Sequence, residues 1–125
     1  MISTSDRTSR VTPSVLILEN GSEYGLDYEL MLNGFGYHVS FARTPVAAGL
    51  ALHEEGHFLA VLLDADTLDP AYCISMLQQF GTIPVLVAAA PTTEIPAMVS
   101  AAAHVFRKPV IPREVERTLT ALRKR

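Results

Sequence analysis

The chain of 125 residues contains no tryptophan and one cysteine, Cys73. A lone thiol excludes an intramolecular disulfide and is the usage of a reducing compartment, so a cytoplasmic protein is expected. Cys73, Met76, Leu77 and Phe80 fall at helical spacing, which makes the thiol core packing and not a nucleophile. No apolar run approaches the roughly 20 residues that span a bilayer, so no membrane partner is expected. A basic excess is also missing. Ten Lys and Arg stand against 13 Asp and Glu, for a net charge of −3, and nothing marks a nucleic-acid surface. The terminal Arg123-Lys124-Arg125 reads as cations placed at a helix C-terminus. The opening MISTSDRTSRVTP has no apolar stretch and is not a signal peptide. Residues 1–13 are expected to be a disordered lead-in and 14–125 one domain. Charged residues make up only 18% of the chain and hydrophobic ones 49%, a globular composition with enough apolar surface for a core.

What is present is a regular alternation of apolar runs and helical patterns. Val15 to Leu18 is a short apolar run that stops at Glu19-Asn20-Gly21, as a buried strand does. Tyr24, Tyr28, Met31, Leu32 and Phe35 then recur at helical spacing before Gly34 and Gly36. Tyr37 to Phe41 alternates as a strand. Thr44-Pro45 opens a second helix as N-cap and first residue, with Ala47, Leu50 and Ala51 expected inside and Gly56 ending it. Phe58 to Leu63 is the most apolar strand, followed by a helix from about Pro70 to Phe80. Pro84 to Ala88, a helix near Glu94 to Ala102, a brief strand at Val105-Phe106 and a last helix from Pro112 complete the pattern. Ile111, Val115, Leu119 and Leu122 are the expected inner face of that helix. Five strands, each followed by a helix and too apolar to face water, imply an α/β fold with a parallel sheet covered on both sides. Ligands of such sheets bind outside the carboxyl ends of the strands.

That edge can be read from the sequence. The first strand delivers Glu19 and Asn20, the third Asp64 and Asp66, the fourth Ala88 to Ala90, and the fifth Lys108 before Pro109. Carboxylates facing one lysine suit a hard cation or a phosphoryl group. From about Ser14 to Arg123 the chain resembles the receiver domains of bacterial two-component response regulators. The resemblance implies the five-stranded flavodoxin-like (βα)5 fold, and phosphorelay signalling in place of enzymatic turnover. It places Asp64 of VLLDAD on the phospho-acceptor and Lys108 of FRKP on the lysine that pairs with it. Glu19 and Asn20 fall on the acidic pair that binds Mg²⁺, and Asp66 on the residue whose carbonyl completes the metal site. The implied partner is a histidine kinase or another protein, and the implied contact face, also used for homodimers, is the fourth helix, fifth strand and fifth helix. Receivers often precede a DNA-binding or ATPase module, and TLTALRKR would be a natural boundary.

The departures from the family pattern are specific. Asn20 replaces an acid, which removes one charge and should weaken Mg²⁺. Ala89 stands where the family has a hydroxyl that bonds the phosphoryl group, and Val105 where it has an aromatic ring that follows that hydroxyl. A methyl group forgoes a bond worth about 1.5–3 kcal/mol when charge-assisted. A phosphorylated Asp64 would thus have little differential contact with which to shift a two-state equilibrium. The expected function is therefore a degenerate receiver acting as an interaction or dimerisation module. A conventional receiver phosphorylated on Asp64 is the alternative.

Two other classes have weaker support. His53-Glu54-Glu55-Gly56-His57 matches the H-E-x-x-H zinc hydrolase pattern, but Gly56 ends the helix and should put the histidines on different elements. His38 and His104 are isolated and read as surface or packing residues. A flavin enzyme would need a phosphate-cradling loop after the first strand, and Glu19-Asn20-Gly21-Ser22-Glu23 is acidic.

Overall fold

The computed structural model describes residues 12–124. In chain order the elements are β1 (Ser14–Leu18), α1 (Gly25–Gly34), β2 (His38–Ala42), α2 (Pro45–Glu55), β3 (Phe58–Asp64), α3 (Pro70–Gln78), β4 (Val85–Ala89), α4 (Ala97–Ala102), β5 (His104–Arg107) and α5 (Pro112–Arg123). The strands form one parallel sheet in the order β2-β1-β3-β4-β5. The α/β class and the flavodoxin-like order expected from the sequence are both found.

The sheet is parallel because its inner strands β1, β3 and β4 are apolar on both faces and each connection is a helix, while the edge strands β2 and β5 are partly exposed. Alternate residues feed two cores. Leu16, Leu18, Val61, Leu63, Val85 and Val87 pack with Ala48, Cys73, Ile74, Leu77 and Val99 from α2, α3 and α4. Val15, Ile17, Ala60, Leu62, Leu86 and Ala88 pack with Tyr28, Leu32, Val115, Leu119 and Leu122 from α1 and α5. Each fully buried leucine contributes about 1.5–3 kcal/mol of transfer free energy. The central strands β1, β3 and β4 are thus anchored on both sides, and their carboxyl ends are held in fixed register.

Several local expectations shift. The helix α2 begins where Thr44 caps it, its hydroxyl accepting from the Ala47 N–H, with Pro45 as first residue and left-handed Gly56 closing it. Its buried face, however, is Pro45, Ala48 and Gly49, while Ala47 and Leu50 point to solvent and Ala51 is half-buried. The cap fixes the helix phase, and only small residues fit where the Phe80 ring lies over Gly49. Phe80 lies beyond the end of α3, whose inner face is Cys73, Ile74 and Leu77. Cys73 is buried and unpaired, as expected of a core thiol. Ile111 is the N-cap of α5 and is extended, so it stands outside the helix face and is exposed. Pro13, assigned to the lead-in, already accepts the His38 N–H through its carbonyl. Residues 1–11 of that segment, and Arg125, lie outside the described residues. Among the described residues no helix is long and apolar enough to cross a membrane.

Candidate functional site

The carboxyl ends of β1, β3, β4 and β5 meet around Asp64, the last residue of β3. The strand carries this carboxylate into the interior, where its side chain is 0% exposed. A bare carboxylate there would be prohibitively costly, so its lone pairs have to be filled. One oxygen, Oδ1, accepts the backbone N–H groups of Asp66 at 3.0 Å and Thr67 at 3.1 Å, with the Thr67 hydroxyl at 3.4 Å. The other, Oδ2, accepts the Ser22 hydroxyl at 3.0 Å, the Tyr28 hydroxyl at 2.7 Å and the Lys108 ammonium at 2.9 Å. A carboxylate has about four lone-pair positions. Six donors converge on this one.

Lys108 comes from the turn after β5 and is nearly buried, with 7% of its side chain exposed. Its backbone N–H is tied to the Ala89 carbonyl at 2.8 Å, which sets its position against β4. The ammonium bridges Asp64 at 2.9 Å and Asp66 at 2.7 Å, and it lies 4.6 Å from the centre of the Tyr24 ring. Burial pushes the Asp64 carboxyl up, but the bonds from Lys108 and Tyr28 and the lysine charge outweigh it and hold it below the usual range. Burial likewise lowers Lys108, and its bonds to Asp66 and Asp64 win and raise it. Burial and the contact with Asp64 raise the Tyr28 phenol, which keeps its proton. These directions agree: the pair is ionised and Tyr28 is a donor.

Asp66 turns its side chain, not only its carbonyl, toward the site, where it meets Lys108. Burial raises its carboxyl, and the bonds from Lys108, Thr93 and the Ala90 N–H lower it by more. The Ala90 N–H donates to it at 2.9 Å and the Thr93 hydroxyl also does, which ties the loop between β4 and α4 to the end of β3. Arg107 closes the same loop from the other side, donating to the carbonyls of Ala90 at 2.8 Å and Thr93 at 2.7 Å.

The acidic pair is arranged otherwise than expected. The Glu19 carboxylate accepts the Ser22 N–H at 2.6 Å and lies against Gly25, where a Cβ would come within 3.1 Å of it. It caps the turn that starts α1. Asn20 is exposed and contributes a backbone N–H to the Thr67 hydroxyl at 3.0 Å. Ala89 is buried at the end of β4, and Val105 pairs with Val87 on β5 with no ring at its position. The ring on β5 belongs to Phe106, which faces the α1 and α5 side. Above Lys108 lies a cavity of about 510 Å³ lined by Ser22, Tyr24, Asp66, Thr67 and Ala90 among others.

A divalent cation does not fit the donor set as it stands. It would need free oxygens, and those of Asp64 and Asp66 are taken while Glu19 faces the helix turn. Among the described residues no three His, Cys, Asp or Glu side chains are grouped to hold a metal. His53 lies on α2 and His57 beyond Gly56, in the loop before β3, so the two are on different elements. The His57 ring contacts the Glu55 carbonyl. His38 and His104 are exposed.

Sequence reasoning brought out Asp64, Asp66 and Lys108 and missed Ser22, Tyr24, Tyr28, Thr67 and Arg107. Tyr28 was legible in principle. It is a hydroxyl-bearing residue on the inner face of a helix, and a buried tyrosine hydroxyl requires a partner.

Solved structures share this arrangement of strands and helices. The chain is similar to a response regulator receiver domain from Clostridium thermocellum (14% identity, 88% of this chain and 93% of that chain, TM-score 0.76). It is similar to a CheY-like receiver domain from Methylobacillus flagellatus (15% identity, 89% and 98%, TM-score 0.73). It is also similar to the receiver domain of the sensor histidine kinase PA1611 from Pseudomonas aeruginosa (18% identity, 90% and 98%, TM-score 0.74). That last protein has a magnesium ion coordinated in its active site cleft. The fold is that of a CheY-like receiver domain. No family model matches the chain and no curated protein does. Asp64 closes the central strand β3 and Lys108 follows β5 directly.

Proposed function

We propose that this chain is an atypical receiver domain of a phosphorelay, spanning residues 14–125, that works as an interaction module and not as a phosphorylation switch. One observation carries the reading: the Asp64 carboxylate, in the phospho-acceptor position, is fully buried and saturated by six donors. To attack a phosphodonor, an oxygen of that carboxylate must be free and aimed at phosphorus. Here both oxygens are engaged, and Ala89 and Val105 supply neither a hydroxyl nor a ring to read out a phosphoryl group. Magnesium binding through Glu19, Asn20 and Asp66 would be weak for the same reason. The partner is a protein, a histidine kinase or a second copy, met on the face of α4, β5 and α5, where Met98 is exposed.

The second reading, a receiver phosphorylated on Asp64, is favoured by the 2.9 Å Asp64–Lys108 pair. Intact mass after incubation with acetyl phosphate and Mg²⁺ separates the two, with Asp64→Asn as control. The expected result is folded protein without an adduct. A phosphate adduct on the wild type that the control lacks would overturn the interaction-module reading.

A further inference from the structure

We propose that Tyr28 is the residue that shuts Asp64 off from a divalent cation, its hydroxyl and that of Ser22 occupying the Oδ2 oxygen of the carboxylate. The proposal rests on the reading above and names the group that enforces it. Tyr28 sits on the buried face of α1, 3% exposed, one helical turn after Tyr24. The other buried residues of that helix, Gly25 and Leu32, carry no side-chain donor, and would leave Oδ2 to Ser22 and Lys108. The tyrosine instead reaches the carboxylate with the shortest bond that Asp64 makes, 2.7 Å.

The Ser22 hydroxyl completes the closure. It donates to the same Oδ2 while accepting the Tyr24 N–H at 3.0 Å, and the Ser22 N–H is held by Glu19. The acid that could have been a metal ligand is therefore spent on positioning a hydroxyl that blocks the metal. Lys108 supplies one positive charge between the two carboxylates, which lessens the pull they would exert on a further cation. A hydrogen bond to a charged group has to be broken before a cation can coordinate there, which corresponds to a binding penalty of about tenfold or more.

Mg²⁺ alone is the probe. Wild type, Tyr28→Phe and Tyr28→Phe/Asp64→Asn are titrated with it at constant ionic strength. Tyrosine fluorescence, free of tryptophan in this chain, and the thermal midpoint are the readouts. The wild type is expected to show no saturable response. Tyr28→Phe is expected to bind Mg²⁺ at least about tenfold more tightly, and the double variant to lose that response. A structural role for Tyr28 would lower the midpoint without creating a metal response. If Tyr28→Phe does not fold, Ser22→Ala removes the second blocking hydroxyl at a half-buried position and should show the same gain in smaller measure. A folded variant with the metal response of the wild type overturns the proposal, as does saturable binding by the wild type that Asp64→Asn abolishes. The interaction-module reading stands or falls separately, on a phosphate adduct in the wild type.

Discussion

Lys108 is the residue on which the charge balance turns. It faces two carboxylates, at 2.9 and 2.7 Å, one of them with no solvent access. Replacing it with methionine keeps the volume and removes the charge, leaving Asp64 buried and uncompensated. Breaking a buried pair from one side costs about 3–5 kcal/mol. Urea denaturation of Lys108→Met should show a loss of that order, and adding Asp64→Asn should recover part of it. With Asp64→Asn also measured alone, a double loss equal to the sum of the two single losses would mean that the pair is not coupled. Asp64 and Lys108 could be found from sequence because one closes the most apolar strand and the other follows the last strand directly, and a parallel sheet brings such strand ends together. That Tyr28 needs a buried partner was legible, but which partner it takes, and where Glu19 points, depend on how α1 enters the fold. Adjacency to β1 placed Glu19 at the right edge, but the turn at Ser22 decides where its carboxylate points.

The elements themselves were legible wherever caps and apolar runs coincide. The Thr44-Pro45 start and Gly56 end of α2 are found where the sequence places them. Its buried face is not, since Leu50 is 52% exposed and Gly49 is buried. Hydrophobicity misjudges this helix because the space beneath it is filled by a neighbour. A Cβ on Gly49 would fall 2.2 Å from Cε2 of Phe80. Gly49→Ala should then cost about 1–3 kcal/mol through overpacking, although alanine favours a helix by about 1 kcal/mol. With Phe80→Ala as background the ring is gone and the same substitution should be neutral or stabilising. Thermal midpoints of the four proteins test this change of sign. A loss of equal size in both backgrounds would exclude the ring as its cause. The same logic applies to the loop between β4 and α4. Asp66 and Arg107 hold it through four bonds, although its sequence, Ala90-Pro91-Thr92-Thr93, announces only a turn.

For the whole molecule, one end of the sheet carries a network that joins β1, α1, β3, β4 and β5 through ionised groups, and its integrity depends on pH. The folded-state values of Asp64 and Asp66 are lowered from those of the unfolded chain, so the unfolded state binds protons first as pH falls. Their contribution to stability is complete above the unfolded carboxylate value, about 3.9, and is lost as pH drops through the folded values. Lys108 works in the other direction. Its folded value is raised, so its contribution is complete below about 10.4 and is lost as pH rises through the folded value. Urea midpoints should therefore be level between roughly pH 5 and 9 and fall on both flanks. Asp66→Asn, at the more exposed end of the network, should flatten the acid flank while the protein stays folded at neutral pH. An acid flank unchanged by both Asp66→Asn and Asp64→Asn would assign the acid sensitivity to other carboxylates. The network would then be held together by its neutral donors, Tyr28, Ser22 and Thr67, and not by charge.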